Sequence, residues 1–412
     1  MTPRDNVALK AKTDAVPTRD ELIARAKALV PFLKANAAAT EERRSLLPEV
    51  VQKLFDAGLM RYFAPRRFGG YEADWGIQYY ISKELAKGCP STAWVSSVVG
   101  QHLMHASRFS REAQDEVFAE GPDLIVATSS APKGAKARKV PGGYMVSGAY
   151  GFSSGIDHSK WGVAFGMADG VRMYFLLPRA DYTIGDVWHT IGMRGTGTKD
   201  LVVEPEKFVP DHRALVWNDF MAANPPGAKV NDGYIYAMEF GPHIAGTSPL
   251  GPIVGAAEAA LETYLEITRT RVSAIDGGKI GDSDLIHFRI GECSAELHAA
   301  DLIARTDFDV LHEAGKARRI LSEKEKYELQ RNRGFIAELC MRSTERLVRM
   351  MGAMGIFDEN PVNRYFRDIH AMTTQVGVAK DVTYPPWGRW ALGLPSKWFH
   401  QQTPAKPGAK SS

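Results

Sequence analysis

The chain has 412 residues, is 44% hydrophobic and 24% charged, and carries a formal net charge of only +3. That balance suits a large core or several lobes sharing one, and without a long basic run it argues against nucleic acid as a partner. Cys89, Cys293 and Cys340 are far apart and odd in number, which speaks against a disulfide framework and for a reducing cytoplasm. No apolar stretch approaches the roughly 20 residues that span a bilayer, so no membrane association is expected. The N-terminus shows no apolar signal segment. No CxxC, HExxH or clustered Asp/His set points to a metal.

Residues 1–16 read as a polar, frayed lead. Thr18 and Glu21 after Pro17 form a capping-box pattern, and Leu22, Ala26, Leu29, Val30 and Leu33 then recur at helical spacing. A second helix carries Leu47, Val51, Leu54 and Phe55 and stops at Gly58. The segment Phe63 to Tyr71 is a loop by its Pro and Gly content, and helices resume from Ile77 to Leu85 and from Ser91 to about Arg108. Near Pro122 the pattern shifts to short β-type runs separated by Gly, Pro and Asp, continuing to about Val216. They read as a small antiparallel sheet. After Pro226 long helices are expected over Ile253–Arg271, Ser283–Ala314, Ser322–Met351 and Pro361–Val378, an up-down bundle. The Trp- and Pro-rich run Tyr384–Trp390 either caps a cleft or packs an interface, and the polar tail from 396 reads as disordered.

The expected architecture is α+β. It has an N-terminal helical domain over 17–120, a β-domain over 121–225, a four-helix bundle over 226–395, and a tail over 396–412. A sheet wedged between two helical lobes makes a cleft, the usual place for a ligand.

Several motifs share an order along the chain. They are Cys89-Pro90-Ser91-Thr92-Ala93-Trp94, then His102, then Gly148 through Phe152-Ser153-Ser154-Gly155 to Ser159, then Gly192-Met193-Arg194-Gly195-Thr196-Gly197-Thr198, and last Arg364-Tyr365-Phe366-Arg367-Asp368. This order resembles one branch of the acyl-CoA dehydrogenase fold: the oxygenase components of two-component flavin monooxygenases. That branch includes p-hydroxyphenylacetate hydroxylases, steroid-phenol hydroxylases and dibenzothiophene monooxygenases. The resemblance runs from about residue 20 to 390 and implies a homotetramer with the bundle helices at its centre. It implies reduced FMN or FAD (FMNH2 or FADH2) and O2 as reactants, and a C4a-hydroperoxyflavin that passes oxygen to a small aromatic substrate. No nicotinamide-binding fingerprint is present, so a separate NAD(P)H-flavin reductase is implied.

By itself Phe152-Ser153-Ser154 is a strand end entering a turn. The resemblance places Ser153 at the flavin N5/O4 edge, where a peroxyflavin needs its N5 proton held and water kept out. The Gly192–Thr198 loop is either a glycine-rich hairpin or a flavin contact made by Arg194, Gly195, Thr196 and Thr198, with Met193 toward the substrate. Arg271 either ends a helix in solvent or meets the flavin phosphate. Arg367-Asp368 is either a helix salt bridge or a flavin contact across a subunit interface. His102 on an apolar helix is ordinarily a core residue; the resemblance makes it a substrate-pocket base or anchor. Ser129, or its neighbours Thr128 and Ser130, offers a further substrate hydrogen bond, and His105 reads as structural. The resembling phenol hydroxylases carry a histidine seven or eight residues after the Arg-Asp pair. Here Gln375 stands there, with His370 one turn earlier, and Gln is no base near neutral pH. Indole, amine or sulfide acceptors therefore join phenols as expected substrates. The segment Gly241–Pro249 is either a helix-entry loop or a pocket wall. An acyl-CoA dehydrogenase proper would need a carboxylate base, and only Glu239 stands near a usual position.

Overall fold

The first helix begins where its capping box lies. In the computed structural model, which describes residues 16–395 apart from Ser130 and Asp276, the Thr18 hydroxyl accepts the Glu21 N–H while the Glu21 carboxylate accepts the Thr18 N–H. Helix α1 (Arg19–Arg43) follows, then α2 (Pro48–Asp56), α3 (Ile77–Ala86), α4 (Pro90–Ala106) and α5 (Arg111–Val117). The expected frayed lead before residue 16, the tail from 396 and Ser130 lie outside the described residues.

The strands are β1 (Val126–Ser129), β2 (Ala131–Val140), β3 (Gly143–Ser153), β4 (Trp161–Ala168), β5 (Val171–Pro178), β6 (Thr183–Gly185), β7 (Lys199–Pro210) and β8 (Ala214–Val216). They form an eight-stranded sheet in the order β6-β7-β3-β2-β4-β5-β8, with β1 beside β4. Hairpin connections make most ladders antiparallel, as expected. Two are not: β1 runs parallel to β4, and β2 meets β4 in parallel at Ala137 and Ala168. The sheet therefore wraps so that β1, the entry strand, lies against the helical side. Its own core is built from inward residues such as Val146, Tyr150, Phe175, Leu177, Leu201 and Val203.

Short helices α6 (Trp217–Met221), α7 (Tyr234–Ala237) and α8 (Pro242–Ala245) lead into the bundle of α9 (Leu250–Thr268), α10 (Asp284–Lys316), α11 (Glu323–Met351) and α12 (Pro361–Thr373). A second capping box, Ser322 with Glu325, starts α11. One large core joins residues of the N-terminal helices, such as Leu85 and Val99, to those of the bundle, such as Ile253, Phe308 and Ile336.

Two expectations change. Helix α9 stops at Thr268, so Arg271 lies in the turn beyond it. Helix α12 stops at Thr373, because the Gln375 side chain folds back to accept the Gly377 N–H at 2.6 Å. The run Tyr384–Trp390, for which no secondary structure was expected in particular, lies in helix α13 (Lys380–Ala391), with Pro385 and Pro386 inside it. Packing offsets the missing N–H groups. Thr383 and Pro386 are buried, and the Arg331 guanidinium of α11 lies 5.0 Å from the Trp387 ring centroid.

Candidate active site

The end of β3 meets α4 closely. Gly155, at φ +71°, turns the chain there, and a Cβ on it would stand 3.2 Å from both Val95 and Val99. Just before it Phe152 has φ +61°, an uncommon value for a residue with a side chain. Its ring is 66% exposed and lies edge-on to Trp188 at 6.2 Å. The backbone is thus bent at the tetrapeptide expected to meet the flavin. Strain of this kind collects at sites where function fixes the geometry.

The hydroxyls around this bend can be assigned one by one. Trp94 Nε1 donates to Ser154 Oγ at 3.1 Å. Ser154 Oγ and Thr198 Oγ1 are 2.8 Å apart, Thr198 Oγ1 and Thr196 Oγ1 are 2.6 Å apart, and Thr196 Oγ1 donates to the Met193 carbonyl at 2.9 Å. Each hydroxyl has one proton and the chain ends on a carbonyl, so every proton points the same way: Trp94 to Ser154 to Thr198 to Thr196 to Met193. None of these protons is free for a ligand. Ser153 is different: its Oγ is fully buried and has no partner among the described residues. A buried hydroxyl left unpaired is disfavoured by about 1–3 kcal/mol. A flavin ring edge offers the acceptor it lacks, so the residues present fit that group.

The Gly192–Thr198 loop is a short 3-10 turn at Arg194–Thr196 flanked by left-handed Met193 and Gly197, rather than a hairpin. Gly155 N–H donates to the Thr196 carbonyl at 2.9 Å, tying loop to bend. Helix α12 grips the loop from behind. The Asp368 carboxylate accepts the Met193 N–H at 2.6 Å, and Arg367 donates to the Ile191 carbonyl at 3.0 Å. A Cβ on Gly192 would fall 2.0 Å from the Arg367 carbonyl oxygen. Burial pushes the Asp368 carboxyl up to about 7. Glu41 of α1 ties this clamp to the N-terminal helices. It pairs with Arg367, with Arg364 at 3.0 Å and with Arg194 at 3.9 Å. Burial opposes its ionisation, but the Arg367 and Arg364 guanidiniums prevail and hold its carboxyl below the usual range.

On α4, His102 is 6% exposed and its Nδ1 is 2.8 Å from the Val126 carbonyl at the start of β1. A carbonyl only accepts, so Nδ1 carries the proton and Nε2 keeps its lone pair. Burial pushes the ring down to about 4, so it is neutral near pH 7 and able to take a proton.

The other expected residues scatter. The Ser129 hydroxyl donates to the Gly151 carbonyl, whereas Thr128 Oγ1 beside it is buried without a partner among the described residues. Arg271 donates to the carbonyls of Met350 at 3.0 Å and Met351 at 2.6 Å, capping the C-terminus of α11. His370 Nδ1 is bound to the Phe366 carbonyl at 2.8 Å, and Gln375 serves its turn. Among the described residues no hydrogen bond or ring contact joins His370 or Gln375 to His102. The sequence reading gave Trp94 no role and passed over Glu41 entirely. Trp94 lay inside a quoted motif; Glu41 pairs with residues more than 300 positions away, which no local pattern reveals. Glu239, the one candidate base for acyl-CoA chemistry, is held by Lys326 at 2.6 Å.

Comparison with known proteins identifies the family. The acyl-CoA dehydrogenase N-terminal domain family matches residues 21–120, and its C-terminal domain family matches residues 250–379. The flavin-dependent monooxygenase oxygenase subunit HsaA of Rhodococcus jostii is 34% identical over 381 residues, 90% of this chain and 98% of that protein. The crystal structure of the HsaA monooxygenase from Mycobacterium tuberculosis superposes with a TM-score of 0.86 at 31% identity, covering 92% of this chain and 99% of that one. XiaF from Streptomyces sp., solved with FADH2 and glycerol, gives 0.86 at 26% identity over 92% and 96% of the two chains. On these matches over nearly the whole chain, the chain belongs to the acyl-CoA dehydrogenase-fold flavin-dependent monooxygenases, as an oxygenase subunit.

Proposed function

We propose that this chain takes reduced FMN or FAD from a separate NAD(P)H-flavin reductase and uses O2 to oxygenate a small aromatic or heteroaromatic substrate of phenol or indole type. The observation that carries the reading is Ser153 Oγ, a fully buried hydroxyl whose proton has no acceptor among the described residues, at a strained bend beside a loop of threonines whose protons are all committed. Bound reduced flavin supplies the oxygen activation. The protein's own contribution is to set the ring against Phe152–Gly155, offer the Ser153 proton at its edge, and keep water away with the Val95, Val99 and Ile125 side chains around Gly155. His102 Nε2 holds or takes the proton of a substrate hydroxyl or ring N–H. With Gln375 committed to its turn, His102 is the base in this reading. Thr128 replaces Ser129 as the candidate donor from β1.

The relatives are named oxygenase subunits, which supports a separate reductase. The XiaF complex supports a reduced flavin without deciding between FMN and FAD here. A homotetramer is part of the reading. Apolar side chains lie exposed on the bundle, such as Leu285 at 63% and Phe288 at 61% on α10, and a partner subunit would cover them. In that assembly the free N–H groups of Arg271 would face a flavin phosphate. The three cysteines, free and buried, fit a cytoplasmic setting. Domain limits near residues 120 and 225 also belong to the proposal.

Anaerobic titration with FMNH2 and FADH2, followed by O2 and panels of phenols, indoles, amines and sulfides, tests it. The expected result is saturable binding of one flavin and an oxygenated aromatic product. Absence of saturable binding, or peroxide alone with every panel member, overturns the reading.

A further inference from the structure

Helix α4 carries a second set of buried polar groups beside His102 that the mechanism does not use. Gln101 and His105 lie one turn apart and are 4% and 8% exposed. Their Nε2 atoms are 3.4 Å from each other, and Gln101 Nε2 also reaches the Ala245 carbonyl at 3.5 Å. Gln101 Oε1 and His105 Nδ1 have no partner among the described residues. Two buried polar atoms left over on one helix face, in a core this well packed, call for a ligand that completes them.

The chemistry of that ligand follows from proton counting. If the Gln101 amide N–H donates to His105 Nε2, the pair presents a carbonyl acceptor and an Nδ1–H donor. Turned over, the amide would set Gln101 Oε1 against the Ala245 carbonyl, two acceptors, so the first orientation is the one that keeps both contacts. The pair therefore shows one donor, His105 Nδ1–H, and one acceptor, the Gln101 carbonyl. A group that both gives and takes one hydrogen bond, such as a hydroxyl, satisfies both; an ether or a methyl group does not.

The surroundings set the shape and the charge. His105 lies edge-on to Phe220 at 5.3 Å and to Phe240 at 4.8 Å, and its ring centroid is 5.3 Å from that of His102. Beneath lies Arg108, fully buried, donating to the carbonyls of Phe220, Ala222, Tyr236 and Met238. Among the described residues no carboxylate pairs with it. Burial, the His102 ring and this cation all push His105 well down, so the pair is neutral and sits in a positive field. A cationic group is repelled there. The loop Gly241–Pro249 closes the far side, through Ala245 on Gln101 and through Ser97 Oγ, which donates to the Ser248 carbonyl at 2.7 Å. The pocket-wall alternative for that loop thus gains a concrete partner.

We propose that Gln101 and His105 form a second polar subsite, which selects aromatic substrates bearing a second hydroxyl beside the one held by His102, and rejects methoxy and ammonium groups in its place. The subsite rests on the aromatic-oxygenation reading above. Its test uses the full chain with FMNH2 and O2 and three sets of arenes: benzenediols, their mono-methyl ethers, and the corresponding (aminomethyl)phenols, in meta and para series. Relative kcat/KM is measured for each, with equilibrium binding by calorimetry alongside. The diol is expected to exceed its methyl ether by about tenfold or more, since a buried donor or acceptor is left unpaired with the ether. The aminomethyl compound is expected to fall lower still. Gln101→Leu and His105→Phe, the latter suited to its aromatic surroundings, should each lower kcat/KM for the diol and bring the diol-to-ether ratio within about threefold of one. Saturable reduced-flavin binding shows that each variant is folded. A wild-type ratio near one, as when the pair holds only an ordered water, overturns the subsite while leaving aromatic oxygenation intact. So does a ratio that persists in both folded variants. No product from any arene, despite flavin binding, overturns the oxygenation reading and the subsite with it.

Discussion

Replacing His102 by Gln removes a titrating group but keeps a side-chain N–H able to reach the Val126 carbonyl. In the folded protein the His102 ring titrates near 4, against an ordinary 6.5, because burial penalises its charged form. A base whose folded value is depressed contributes stability above its unfolded value, and that stability is lost as the pH falls toward the folded value. The window here is therefore pH 6.5 down to about 4. At 1.36 kcal/mol per unit the full term is about 3 kcal/mol. Urea unfolding of wild type and His102→Gln at steps between pH 4 and 7.5 measures it. The neighbouring His105 and His243 are also depressed, chiefly by burial, and steepen the acid limb of both proteins. The difference between the two curves reports His102 together with its push on His105. Wild type should lose about 3 kcal/mol more than the variant across that window. Activity should agree: kcat/KM on a phenol should show no acid limb near 6.5, and should fall about 100-fold or more in the variant through loss of the base. Stability curves that run parallel, or an acid limb near 6.5, would refute a buried, neutral, proton-accepting His102.

Two further predictions concern the cofactor side. Gly192→Ala sets a methyl 2.0 Å from the Arg367 carbonyl oxygen, a backbone atom that cannot turn aside. Unfolding free energy should fall by about 1–3 kcal/mol and reduced-flavin affinity should weaken; a variant unchanged in both would show that the α12 clamp does not position the loop. Arg271→Met removes two hydrogen bonds to the last carbonyls of α11. Denaturant unfolding should show a loss of about 1–3 kcal/mol even without flavin, and an unchanged midpoint would deny the cap.

Most of the architecture was legible in the chain because local rules agreed with the fold. Both capping boxes, at Thr18 and Ser322, start their helices, and the β-pattern ends at Val216 as expected. What failed was decided by distant contacts. That the segment of Pro385 and Pro386 is helical was not foreseen; it packs against α11. Arg271 read as a helix end, but the carbonyls it meets belong to residues 350 and 351. The β1 ladder runs parallel because its partner is β4 rather than its neighbour in sequence. At the site the motif order singled out Ser153, His102 and the threonine loop. It named Ser153 for the flavin edge but could not show that, unlike those of Ser154, Thr196 and Thr198, its hydroxyl has no partner among the described residues. Nor could it see that Ser129 is bound to Gly151 while the Thr128 hydroxyl has no partner among the described residues.

The central claim is that the free Ser153 proton serves the flavin edge. Its most direct test is the fraction of reduced flavin whose oxidation yields oxygenated arene rather than hydrogen peroxide, compared between wild type and Ser153→Ala at matched flavin saturation. The account predicts that this fraction falls by about tenfold or more while flavin still binds, because one buried hydrogen bond at the reacting edge is lost. An alanine variant that couples as well as wild type would contradict it.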